Sequence, residues 1–141
     1  MLLENQLEVI MKPDIQLFEA FEHGMLLVDG KSVNLAEIAW WNHPKFEGVK
    51  LKHLITSAQT QGAFSFHLVS IAPNKAIETH VHENELETHE VIGGSGHCSK
   101  EGSTFAYTTG TMSIFPKNTE HSIHADANGL YLFAKFFPAL C

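Results

Sequence analysis

The sequence predicts an all-β fold, a small barrel or sandwich of short strands. Runs of four to eight residues with alternating apolar character recur along most of the chain. Turn pairs such as Asp29-Gly30, Glu101-Gly102 and Asn128-Gly129 separate them at the spacing expected of hairpins. The 141 residues are enough to bury one core and too few for two. No internal repeat or low-complexity tract breaks the pattern, so residues 1–141 read as a single domain.

Residues 1–24 carry scattered leucine, isoleucine and phenylalanine around Pro13 with no settled period, and read as an arm packed on the domain. Met25 to Val33 reads as a hairpin turning at Asp29-Gly30. Trp40 and Trp41 precede a strand on which Val49, Leu51 and, less strictly, His53 share one face. Phe64 to Ile71 is a strand with Phe64, Phe66 and Leu68 on one side and His67 and Val69 on the other. After a turn at Pro73-Asn74, a strand leads into His80 and His82, and the Glu87 strand ends in a sharp reversal at Gly93, Gly94 and Gly96. Two strands flanking Glu101-Gly102 form the next hairpin. Asn128-Gly129 starts the final strand, whose faces, Leu130, Leu132, Ala134 and Phe136 against Tyr131, Phe133 and Phe137, are both apolar. Such a strand is buried on both sides, one of which is assigned here to a subunit contact in a homodimer.

The stretch Glu78 to Gly96, ETHVHENELETHEVIGGSG, holds the chemistry. Strand residues at i and i+2 point the same way with stems roughly 6 to 7 Å apart, so His80 and His82 can converge on one ion. A strand run straight on would turn Glu87 to the opposite face, so the chain must turn at Glu83, Asn84 and Glu85. A second stretch, Gly110 to His124, ends a strand at Pro116 and opens the next at His121.

Together these stretches resemble the two motifs of the cupin superfamily. In G-x5-H-x-H-x4-E-x6-G, His80, His82, Glu87 and Gly94 fall in register and Asn74 replaces the leading glycine, over residues 74–96. In G-x5-P-x-G-x2-H-x3-N, Gly110, Pro116 and His121 match over residues 110–125, with Asn118 and Ala125 replacing the inner glycine and the asparagine. Asparagine tolerates the left-handed backbone, so Asn118 keeps the turn open to that conformation. The resemblance implies a double-stranded β-helix, the jelly-roll cupin barrel of small RmlC-like proteins. It also implies one divalent transition metal ion on His80, His82, Glu87 and His121. Imidazole and carboxylate suit Fe, Mn, Co, Ni, Cu or Zn alike. His89 shares the parity of Glu87 and is, with His67 and Tyr107, a candidate for a supporting role. Glu85 is the alternative carboxylate, and His124, of opposite parity to His121, faces outward. His23, His43 and His53 show no ligand spacing. The order Trp41, Phe46, Gly48, Val49 is similar to the opening of a cupin subgroup that includes anti-sigma-factor sensor domains and aromatic-ketone dioxygenases.

Composition narrows the partners. A net charge of -7 repels phosphate backbones and weighs against nucleic acid. The nine basic residues are all lysine, and without arginine the usual bidentate clamp for carboxylate or phosphate substrates is missing. No apolar run approaches the roughly 20 residues of a membrane span, and no secretory signal opens the chain, so a cytoplasmic location is expected. Cys98 and Cys141 read as reduced thiols. Phe64, Phe66, Met112 and Phe115 are the candidate apolar lining of the cavity. The expected function is a metal-dependent enzyme, dioxygenase-like, on a small apolar or aromatic substrate. The alternatives are a non-catalytic small-molecule or redox-sensing cupin and a metal-dependent isomerase or lyase.

Overall fold

A computed structural model describes residues 14–141; most of the expected arm, residues 1–13, lies outside the described residues. Helix α1 (Gln16–Glu22) is followed by the hairpin β1 (Met25–Val28) and β2 (Lys31–Asn34). Its turn residues Asp29 and Gly30 both have positive φ, as the tight hairpin requires. The other strands are β3 (Trp41–Asn42), β4 (Val49–Ile55), β5 (Ser65–Ile71), β6 (Ala76–His80), β7 (Leu86–Lys100), β8 (Ser103–Thr108), β9 (Met112–Phe115) and β10 (His121–Phe137). A short helix α2 (Ser57–Thr60), closed by a Thr56 capping box, links β4 to β5 and was not legible in the pattern.

The strands pair along the path β3-β4-β5-β10-β7-β8, with β6 added to β10 and β9 added to β7. The topology resembles a jelly roll, and among the described residues the hydrogen-bonded path runs from β3 to β8. The long strands β7 and β10 organise it, antiparallel to each other over nearly their whole length. Two expectations are corrected here. Gly93, Gly94 and Gly96 do not reverse the chain, because β7 continues through them as one strand. A Cβ on Gly94 would collide with the Gly129 carbonyl oxygen, and one on Gly96 with that of His124, so the glycines permit close approach of β10. Likewise Asn128-Gly129 starts no new strand. It lies in a bulge of β10, where residues 126–129 stand between the ladder partners Ala125 and Leu130.

Two apolar layers flank the sheet. The inner one contains Val49, Leu51, Val69, Leu130, Leu132 and Phe136, matching the predicted faces of β4 and β10. The outer one joins Phe133 and Leu68 to Phe18 of α1 and Leu35. Phe18 packs 4.7 Å from Tyr131 and Phe21 5.0 Å from Phe133, centroid to centroid. The second apolar face of the final strand is therefore covered by the chain's own helix, and it gives no argument for a subunit contact. Buried Lys52 ties this layer together, donating to the carbonyls of Glu22 and Leu35 at 3.0 and 2.7 Å. No helix among the described residues is long and apolar enough to cross a membrane.

Candidate metal centre

Pairing of β6 with β10 sets His80 directly opposite His121 at the start of the ladder, with ring centroids 4.3 Å apart. β6 ends at His80, so the strand expected to carry both histidines stops short of His82. The loop after it still turns His82 toward the group, and Asn118 N–H holds that loop by donating to the His82 carbonyl at 2.9 Å. Asn118 and Asn74, which stand at glycine positions of the two motifs, both adopt left-handed φ, 64° and 61°. The turn deduced from parity lies over residues 81–85, and Glu87 enters on β7 with its carboxylate on the same side as the histidines.

Backbone hydrogen bonds fix which nitrogen each ring presents. His80 Nδ1–H donates to the Glu78 carbonyl at 2.9 Å and His121 Nδ1–H to the Thr119 carbonyl at 3.1 Å, since a carbonyl only accepts. Both Nε2 lone pairs are left bare. His121 stacks on Phe115 at 4.0 Å, which locks its plane. Glu87 is 4% exposed, and His121 Nε2 lies 3.0 Å and His82 Nε2 3.8 Å from its Oε1. Neither Glu87 Oε1 nor His121 Nε2 makes a hydrogen bond of acceptable geometry with any described residue. Two buried, unpartnered atoms with bare lone pairs beside two more imidazoles form a donor set that suits a cation.

The other carboxylate oxygen is accounted for. His89 Nε2–H donates to Glu87 Oε2 at 2.9 Å, and Tyr107 O–H lies 3.0 Å from His89 Nδ1 as its donor. Burial alone would raise the Glu87 pKa; His89, donating to Oε2, opposes it, and the carboxyl is held well below its usual range. Burial lowers the pKa of His80 to about 4, keeping that ring neutral. Burial likewise pushes the Tyr107 phenol up, so it remains a donor. Among the described residues, His80, His82 and Glu87, and again Glu87, His89 and His121, bring ligand-type atoms within 4.8 Å of one another. Glu85 joins neither group.

A cavity of about 960 Å³ opens over this centre, lined by Trp41, Phe46, Leu51, Val69, Ile77, Leu132 and Phe136 together with His80, His82, Glu87 and His89. The predicted lining is corrected. Phe66 packs on the outer layer with Phe64 against it at 5.0 Å, Met112 is exposed, and Phe115 stacks on His121. The β5 side chains that face inward are those of the opposite parity, His67 and Val69. Nor do His67 and Tyr107 line the cavity; both are fully buried behind it, and Tyr107 acts through His89. Conversely, His43 and His53, set aside for want of ligand spacing, do line it. The apolar-face position of His53 beside Val49 and Leu51 was the signal. His43 Nδ1 accepts from the N–H groups of Lys45 and Phe46, which leaves its proton on Nε2. His124 stacks on His97 at 4.8 Å, away from the centre.

Comparison with known proteins agrees with this architecture. A family model described as Cupin domain matches residues 67–132. L-ectoine synthase of Vibrio campbellii is 36% identical over 76 residues, 52% of this chain and 58% of that protein, so the match spans little more than half of that relative. The crystal structure of ectoine synthase from P. lautus superimposes with a TM-score of 0.68 at 20% identity, over 82% of this chain and 80% of that one. The polyketide cyclase RemF from Streptomyces resistomycificus gives 0.66 at 19% identity, over 77% and 78%. At these identities the two structures establish the fold alone. Both motifs lie within the residues that the Cupin domain model matches, and the fold around them is that of the cupin structures.

Proposed function

We propose that the chain binds one divalent transition metal ion on His80, His82, Glu87 and His121 and holds a small, largely apolar molecule in the cavity above it. The observation that carries this reading is the pair of buried, unpartnered atoms, Glu87 Oε1 and His121 Nε2, beside a largely apolar cavity that Glu87 lines. A bound ion of this class would supply a Lewis-acid centre. His89 and Tyr107 orient Glu87 so that Oε1 and not Oε2 faces the histidines. The apolar walls select a ligand with most of its surface hydrocarbon, and Lys45 is the one cation among the lining residues. Anchoring such a ligand is sufficient for a binding or sensing cupin.

A catalytic use as a lyase or isomerase has specific support. The relative matched by sequence is a synthase, and His43 presents an Nε2–H donor at the cavity wall. Burial, then the charge of Lys45, lowers the His43 pKa, so the ring is neutral at neutral pH and able to exchange a proton with a bound molecule.

Metal content per chain tests the reading on protein purified without added metal. Near-stoichiometric metal in the wild type and its loss in His82→Ala are expected; no metal after reconstitution would sink it. Oxygen uptake with aromatic diols or ketones would return the weight to dioxygenase-like chemistry. Metal-dependent turnover without oxygen uptake would favour the lyase or isomerase reading.

A further inference from the structure

Three residues far apart in sequence, His53, His67 and Cys141, meet on the other side of Phe136. The β4–β5 register pairs His53 directly with His67. After β10 the chain turns back beneath them. Ala139 N–H donates to the Gly62 carbonyl at 3.0 Å, Leu140 N–H to Ser65 Oγ at 2.8 Å, and Ser57 N–H to the Cys141 carbonyl at 2.8 Å. These bonds place Cys141 Sγ within 4.8 Å of ring nitrogens of both histidines. The Phe136 ring stands between this group and the first centre, 5.5 Å from His67 and 5.1 Å from His82.

The two Nδ1 atoms face each other at 2.8 Å, with the rings nearly perpendicular. Two nitrogens each about 2.0–2.1 Å from one ion at right angles to each other lie about 2.9 Å apart, and about 3.4 Å apart at a tetrahedral angle. The pair is thus close to the first spacing and needs to open by about half an ångström for the second. Ser65 Oγ lies 2.7 Å from His67 Nε2 and can accept its proton, which frees Nδ1 as a lone pair. His53 reaches the same state by moving its proton to Nε2. Burial lowers the pKa of both rings, that of His67 to about 4, so no further proton occupies the lone pairs at neutral pH. The thiol proton of Cys141 is the one released to solvent on binding.

We propose that His53, His67 and Cys141 form a second metal site, taking a zinc-class ion through two imidazoles and one thiolate. Sulfur with imidazole selects zinc, cobalt or cuprous copper over magnesium and calcium. Three protein ligands leave a position open, and His53 and Cys141 both line the main cavity, so that position faces bound molecules. The site shares no residue with the centre at Glu87, and each stands or falls independently of the other.

Cobalt(II) titration of chelator-treated full-length protein tests it, because only a sulfur ligand gives a thiolate-to-cobalt charge-transfer band in the near ultraviolet. The band is expected to saturate at one equivalent, to survive His82→Ala and Cys98→Ser, and to vanish in Cys141→Ser. It is expected to weaken sharply in His53→Gln. Absence of the band from the wild type, its survival in Cys141→Ser, or its indifference to His53→Gln would overturn the proposal. Cys141 is exposed and its backbone bonds do not involve the thiol, so the serine variant keeps the fold.

Discussion

Glu87 is held by its neighbours more than by its own strand. One oxygen is committed to His89, which in turn leans on Tyr107, so a phenol outside the main cavity sets the direction of a carboxylate. Tyr107→Phe should lower metal affinity about 10- to 100-fold while leaving the fold intact, read by competition with a chelator. It should also cost about 1–2 kcal/mol in urea unfolding, because His89 Nδ1 loses its donor. His67 carries a different signature. Its pKa is about 4 folded against 6.5 in the free residue, so the unfolded chain takes up a proton more readily between those values. The stabilisation from keeping His67 neutral is full above about 6.5 and lost as pH falls toward 4, on the order of 3 kcal/mol in all. Metal-free His67→Phe should accordingly show a shallower fall in stability across that window than the wild type, measured by urea titration at several pH values. At this scale the four candidate ligands came from the resemblance to the two cupin motifs, which picks them out by position along the chain. His53 and His67 were not legible as a pair, since their meeting depends on β4–β5 register, which spacing within one strand does not encode.

The elements differed most from expectation where glycine was read as a turn. A glycine marks either a left-handed backbone or a missing side chain; in β7 both hold at Gly94, with φ of 71°, and the second alone at Gly96. Gly94 and Gly96 let the backbone of β10 come close at Gly129 and His124. Gly96→Ala should therefore destabilise by about 3 kcal/mol or more, since its Cβ meets the His124 carbonyl within the ladder. Gly102→Ala, with φ of 80° and open space around it, should cost only about 1–2 kcal/mol. Urea midpoints of the two variants, side by side, check the distinction. Hairpins at Asp29-Gly30 and Glu101-Gly102 were legible because two successive left-handed residues have few other uses.

At the scale of the molecule, the sheet separates two apolar layers with different work. The inner layer walls the cavity, whereas α1 and β1–β2 serve only the outer one. Phe18→Ala should lower stability by about 3 kcal/mol and leave metal content per folded chain unchanged. Parallel loss of metal and stability would show that the layers are coupled. The apolar cavity was expected on residues that do not line it, because the exposed or outward parity of Phe64, Phe66 and Met112 emerges only once the strands are paired.

The neighbouring tryptophans divide between these layers. Trp40 donates to Glu22 at 2.9 Å and packs on Phe18, while Trp41 lines the cavity beside His43 and His53. Adjacent in sequence, they are two built-in optical reporters of different compartments. In a Trp40→Phe protein the remaining emission comes from the cavity wall alone, so occupancy of the cavity can be followed by fluorescence without attaching a label.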